Sequence, residues 1–357
     1  MTNTAQKVAA GWAAVYGTLA LVWTVTGRGF PYGPPRINME TSPLRALDPS
    51  IGAPVFAVVL LLTAIALLVM SGRRTAPRPL RVALLSYVGL VAAALLVVLP
   101  DTRLLTVAGY LPMLIIGFPF GWPPVDYSTV FTWTLANQAF AVAGGLLLVR
   151  AALRWHFGAT GACEDCGRDD RAESWTSRPS AARWGRWAVG VAAIIPVGYA
   201  VVRLAWAAGI PLGISAGFLR EMQETGIVWA GAGLGAFAVG GAVLTLGLVQ
   251  RWGEVFPRWM PGVAGRRVPI KLATVPATLV TIFVMSASVA FYAEPGLWAE
   301  VAADGLAVAP ILAWPFWSLA LGAATLAYHL RRRPACANCG RGHPATGLVS
   351  RPEAEAY

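Results

Sequence analysis

Long blocks of apolar residues separated by short charged connectors constrain this chain more than any motif in it. Eight of them, Ala9 to Thr26, Val55 to Met70, Val82 to Leu99, Phe131 to Val149, Trp187 to Ala207, Val228 to Val249, Leu272 to Phe291 and Ala307 to Leu330, meet or approach the length of a membrane-crossing helix, about 20 residues. A backbone in hydrocarbon must close its hydrogen bonds internally, and a helix does so within each segment. The expected fold is therefore all-α and polytopic, with eight transmembrane helices. Internal prolines such as Pro196 do not oppose this, because membrane helices tolerate them. A ninth apolar stretch, residues 104-121, holds Pro112 and Pro119 and runs into Pro123 and Pro124. Its length and prolines suit a re-entrant or interfacial segment, or a distorted span.

Charge distribution orients the helices. Charged residues make up only 13% of the chain and hydrophobic ones 57%, against about 25% charged in soluble domains. The net charge of +11 comes without a lysine run or a basic stripe interleaved with aromatics, so nucleic acid is not an expected partner. With eight spans and both termini cytoplasmic, the inner segments hold 22 basic and 8 acidic residues, the outer ones 5 and 9. That is the positive-inside pattern. A full crossing by residues 104-121 would send the later basic connectors outward, so this stretch is expected to dip in from the outer face. The first apolar segment lacks a small-residue cleavage site and leads into further spans, unlike a secretory signal. The expected location is the inner (plasma) membrane, with membrane lipids as partners and a protein partner or homo-oligomer left open.

The order of segments repeats. Each half reads span, outer loop, span, basic inner loop, span, outer segment, span, and then CEDCG or CANCG. GFPYG at Gly29 to Gly33 matches GIPLG at Gly209 to Gly213, and Tyr16 and Trp23 have the spacing of Tyr199 and Trp206. This predicts a tandem 4+4 duplication: a first repeat over 1-170, a linker over 171-185, a second repeat over 186-345 and a tail over 346-357. An even number of spans per unit gives parallel repeats about an axis along the membrane normal. The loop Gly27 to Gly52 and the proline-rich stretch have no counterpart of equal length evident in the second half.

The four cysteines of the chain form two CxxCG pairs, Cys163 with Cys166 and Cys336 with Cys339. Each pair supplies half of a tetrahedral thiolate site, and the glycine after it suits a tight knuckle. One structural Zn2+ bound by all four would clasp the repeats on the cytoplasmic side. The alternatives are a redox pair, a [2Fe–2S] cluster or two hairpins without metal; a cytoplasmic disulfide is disfavoured by its compartment.

The eight spans lack a central acidic residue and the three histidines sit near span ends, which argues against a carboxylate relay or zinc hydrolase chemistry. Among polar residues, Arg203 in the fifth span either snorkels or meets an anion. Asn137 and Gln138 in the fourth either bond across helices or line a polar cavity. Arg36, Asp126 and Tyr127 lie in outer loops rich in proline and aromatics, either as parts of a ligand lid or at an interfacial belt.

The segment GWAAVYGTLALVWTVTGRGFPYG, Gly11 to Gly33, with the alanine- and arginine-rich bias of the chain, resembles multi-pass membrane proteins of high-GC actinobacteria. The resemblance implies an inner-membrane setting and carries no activity or catalytic residues. The expected function is non-enzymatic: permease-like, small-molecule-binding or scaffolding. The alternative is a membrane enzyme acting on a lipid or quinone, with the cysteines as thiols. A connected polar cavity between the halves would favour transport, and a closed apolar interior a scaffold.

Overall fold

In the computed structural model, which describes residues 3–33, 42–73, 76–120, 127–169 and 175–342, the chain is all-helical, and no strand occurs among the described residues. Among the described residues, seven helices are long and apolar enough to cross a membrane: α1 (Thr4–Thr26), α2 (Pro49–Gly72), α3 with its continuation (Arg78–Val98), α6 (Trp133–Ala159), α7 (Arg178–Ala207), α9 (Ile227–Gly247) and α10 (Ile270–Tyr292). Between and beyond them lie α4 (Thr102–Gly117), α5 (Tyr127–Val130), α8 (Ala216–Glu224), α11 (Leu297–Leu312) and α12 (Trp314–Arg332).

Local chemistry sets where these helices start. The Asp48 carboxylate accepts from the N–H of Ser50, and the hydroxyls of Thr132 and Ser215 accept from Leu135 and Phe218. Such side chains satisfy N–H groups that a first turn leaves without partners. Proline stands in the first turn of α2, α3, α7 and α12, where its missing N–H is not needed. The end of α3 widens into a π turn over Ala94–Val98.

One expectation from the sequence changes here. The apolar block Ala307 to Leu330 is divided at Ala313 into α11 and α12. Pro315 has no N–H with which to continue the ladder back into α11. The 19-residue α12 also carries tryptophans, Tyr328, His329, Arg331 and Arg332, so it is less apolar than the seven helices above. The described part of the proline-rich stretch folds as the 16-residue α4 and the short Phe118–Phe120 turn, and α11, also 16 residues, lies between α10 and α12; the connection from Val98 to Trp133 remains longer than that from Tyr292 to Trp314.

The packing follows the same order in both halves. Helix α1 packs on α2 and α6, and α3 packs on α6; α7 packs on α9 and α12, and α10 packs on α12. Tyr16, Leu60, Leu67, Val88, Leu95 and Leu148 are fully buried in the first core, and Val189, Ala324 and Tyr328 in the second. The close approaches depend on glycine. A Cβ at Gly144 of α6 would lie 1.9 Å from the Trp12 ring of α1, and one at Gly185 of α7 would lie 2.6 Å from the Cβ of Ala327 in α12.

The halves meet along α10, which packs on α4 and on the π turn of α3. Leu104, Leu135 and Val142 of the first half form one apolar cluster with Ile282 of the second. The Ser286 hydroxyl of α10 donates to the Pro100 carbonyl at 2.6 Å. At the same end of α10, Arg45 pairs with Glu294 and donates to the Ala293 carbonyl at 2.8 Å.

Candidate metal centre

Each cysteine pair sits just beyond the last helix of its half, α6 or α12, and the two are folded alike. In the first, the Cys163 N–H donates to the Arg168 carbonyl at 2.9 Å and the Gly167 N–H to the Cys163 carbonyl at 2.7 Å. In the second, Cys336 and Arg341 are joined at 3.0 Å and Gly340 and Cys336 at 2.8 Å. Gly167 and Gly340 both have φ of 67°, a left-handed conformation that glycine adopts without steric penalty. The glycine in CxxCG is therefore what turns the chain so that both sulfurs of a pair face one point.

The two knuckles face one another. Cys163 Sγ lies 3.9 Å from Cys336 Sγ, and Cys166 Sγ lies 3.7 Å from Cys339 Sγ. All four sulfurs lie within 4.8 Å of one another. The cysteines are free, and these separations far exceed the ~2.05 Å of a disulfide. Four thiolates at about 2.3 Å from one tetrahedral ion would be about 3.8 Å apart, so the donor set and its spacing fit a single metal ion.

Arginines tie the knuckles to each other. Arg168 donates to the carbonyls of Arg341 at 2.9 Å, Pro334 at 3.0 Å and Arg333 at 3.1 Å. In return, Arg341 donates to the Arg168 carbonyl at 3.2 Å and Arg333 to the Cys166 carbonyl at 2.8 Å. The exchange between Arg168 and Arg341 is reciprocal. Arg154, at the end of α6, pairs with Asp165 inside the first knuckle. That acid is thus ion-paired rather than simply solvated.

The electrostatics distinguish the sulfurs. Burial, joined by hydrogen bonds among the four sulfurs, pushes the Cys166 thiol up to about 12. The backbone N–H groups of Cys339 and Asn338 point at Cys336 and bring its thiol down to about 7. Four anionic sulfurs at this spacing repel strongly without a cation among them. A divalent ion removes that obstacle and replaces the protons.

The other polar residues singled out in the sequence fall in separate places. Asn137 accepts from the Tyr16 hydroxyl of α1 at 3.1 Å and donates to the Trp133 carbonyl of its own helix at 2.8 Å. Its bond to Tyr16 crosses between helices. Gln138 lines a polar pocket at the opposite end of α6 from the cysteines, together with Tyr32, Asp101, Arg103 and Thr134. Arg203 stacks over the rings of Tyr199 and Trp206, 5.1 and 4.6 Å from their centroids. No carboxylate among the described residues pairs with it. Tyr127 belongs to α5 and stacks on Phe131; Arg36 and Asp126 lie outside the described residues.

Asp101 and Tyr32 were not among the residues picked from sequence. Asp101 follows the third apolar block at its very end, where a connector acid looks ordinary, and only the tertiary fold buries it. The one signal available was its place two residues before Arg103 in PDTR, directly after a span.

Compared with protein-family models, with curated proteins and with solved structures, the chain finds no match. Its function is therefore argued from its own geometry.

Proposed function

We propose that this chain is a non-enzymatic integral membrane protein whose two four-helix repeats are clasped by one structural zinc ion bound to Cys163, Cys166, Cys336 and Cys339. The observation that carries this reading is the approach of all four sulfurs to within 4.8 Å, with two supplied by each half of the chain. A two-iron cluster would hold the thiolates of its two irons farther apart than a single ion does, so the common spacing favours one ion. Zinc suits a closed, four-coordinate site without an open position for substrate.

The duplication is supported by the shared helix order, the matched 16-residue segments α4 and α11, and knuckles with the same hydrogen bonds. In this reading α12 is the eighth span. Its ring of Tyr, His and Arg lies where the helix leaves the bilayer toward the cysteines. Helices α4 and α11, each about 24 Å long at 1.5 Å per residue, fall short of a ~30 Å hydrocarbon core and take the place of segments entering from the outer face. The basic connectors then face the cytoplasm, with both termini and the metal clasp on that side of the inner membrane.

For the body itself, the seam favours a scaffold or small-ligand-binding role over a pore between the halves. Apolar Leu104, Leu135, Val142 and Ile282 fill it among the described residues. Lipid surrounds the rest: Val25, Leu90, Trp187, Phe237 and Leu244 are large, apolar and exposed.

Metal analysis of the purified protein tests the clasp. The expected content is about one zinc per chain, lost when Cys163→Ser and Cys336→Ser are combined. Absence of metal while all four thiols react freely with a maleimide overturns it.

A further inference from the structure

At the end of α6 remote from the cysteines, the fold buries a carboxylate that the metal clasp does not use. Asp101 lies in the turn between the π segment of α3 and the start of α4 and is 3% exposed. It accepts the Arg103 N–H at 2.9 Å, and Arg103 Nε stands 3.4 Å from its second oxygen. The Gln138 side chain lines the same pocket, and its amide favours the ionised carboxylate. The adjoining pocket leaves about 20 Å3 for the centre of a water-sized occupant, and about 10–15 Å3 suffices for one ordered water.

Gln138 is 1% exposed, and its Oε1 has no hydrogen-bond partner among the described residues. An acceptor buried in this way keeps its desolvation cost uncompensated, and the group that would satisfy it is a donor. The ionised carboxylate beside it can only accept; a protonated one can donate.

We propose that Asp101 is a proton-binding site, loaded by water that enters the pocket on the face opposite the cysteines, with Gln138 as the partner that serves both of its charge states. In the ionised state the Gln138 amide N–H donates to the carboxylate. On loading, an O–H bond of hydronium breaks and one forms on an Asp101 oxygen, and water is released. The new O–H donates to Gln138 Oε1, directly after rotation of the amide or through the pocket water. No other bond changes. The pocket gains one positive charge.

The surrounding groups allow this exchange. Arg103 favours the ionised form, while burial opposes it and outweighs the hydrogen bonds, holding the Asp101 carboxyl above the usual carboxylate range. Tyr32 lines the pocket and shares a 2.9 Å hydrogen bond with Tyr16. From α6 come Thr134 and Gln138, both uncharged. Helix α10 brings Ser286 to the same turn through Pro100, and Glu294 beyond its end is taken by Arg45. Acids in such surroundings are functional candidates. The inference is independent of the metal clasp and stands or falls without it.

The test is infrared spectroscopy of the full chain in lipid nanodiscs during pH titration. The expected result is a carbonyl band of a protonated carboxylic acid that shifts when aspartate is labelled with carbon-13, titrates above the ordinary aspartate value of about 4 and vanishes in Asp101→Asn. In Gln138→Leu, which removes the partner of both charge states, the midpoint should move away from the wild-type value. A wild-type protein without a titrating aspartic-acid band above that value overturns the proposal and leaves Asp101 and Arg103 as a permanent ion pair. So does a labelled band that survives unchanged in Asp101→Asn. Should Asp101→Asn fail to fold, Asp101→Glu keeps the test: its band should lose the aspartate-label shift and respond to glutamate labelling instead, and a band that still follows the aspartate label overturns the proposal.

Discussion

Single residues decide whether the knuckles and the helix contacts form at all. Arg168 reaches three carbonyls of the opposite knuckle, those of Arg333, Pro334 and Arg341. A planar guanidinium can serve several acceptors at fixed angles, whereas an ammonium offers one point of charge. Arg168→Lys should therefore behave much like Arg168→Ala. Both should weaken metal binding by about 10–100-fold, the usual effect of losing a group that orients ligands, as measured by competition with a chromogenic chelator. Recovery of wild-type affinity by lysine would show that charge alone matters there. Gly144 makes a different demand. Its Cβ position lies inside the Trp12 ring contact, so Gly144→Val should cost at least about 1–3 kcal/mol through overpacking and lower the thermal midpoint in detergent. Substitution at Gly11 or Gly89, where a Cβ meets nothing within 4 Å, should leave it almost unchanged.

Among the elements, the helices were far more legible than the breaks between them. Hydropathy alone located α1, α2, α3, α6, α7, α9 and α10, because continuous apolar length is the property a bilayer selects. The division of the last block was not evident: Ala307 to Leu330 is apolar throughout, and the effect of Pro315 depends on whether the chain before it continues or turns. The four-cysteine cluster was legible because CxxCG fixes local geometry and each copy directly follows a long helix, α6 or α12. The pocket at Asp101 was not, since it joins residues from the loop after α1, the start of α4 and α6, and no local pattern links them. The contacts across the seam also differ in strength. Arg45 and Glu294 are 29% and 41% exposed in their side chains, and ion pairs so placed contribute about 0–1 kcal/mol. Arg45→Ala should thus shift the thermal midpoint little, and high salt should remove even that difference. A large loss would mean that the two bonds from Arg45 to the end of α10 act as a structural latch.

At the scale of the whole molecule, three unlike contacts among the described residues join the two halves: the apolar cluster around Ile282, the bonds of Arg45 and Ser286 to the facing half, and the cysteine knuckles. The first two lie toward α4 and the ends of α10, whereas the knuckles lie beyond α6 and α12. A clasp at that far end resists the halves parting there even if the seam loosens. This predicts how a cut chain behaves. A protease site placed at residues 171–174, after the first knuckle, should give two fragments that copurify while metal is bound. Chelation should lower the thermal midpoint of the cut protein more than that of the intact one, because the covalent link no longer holds the knuckles at high local concentration. Acid should mimic the chelator, since thiolates must take up protons as the metal leaves; the change should reverse when pH and zinc are restored. If cut and intact proteins respond equally to chelator, the metal stabilises each knuckle without joining the halves.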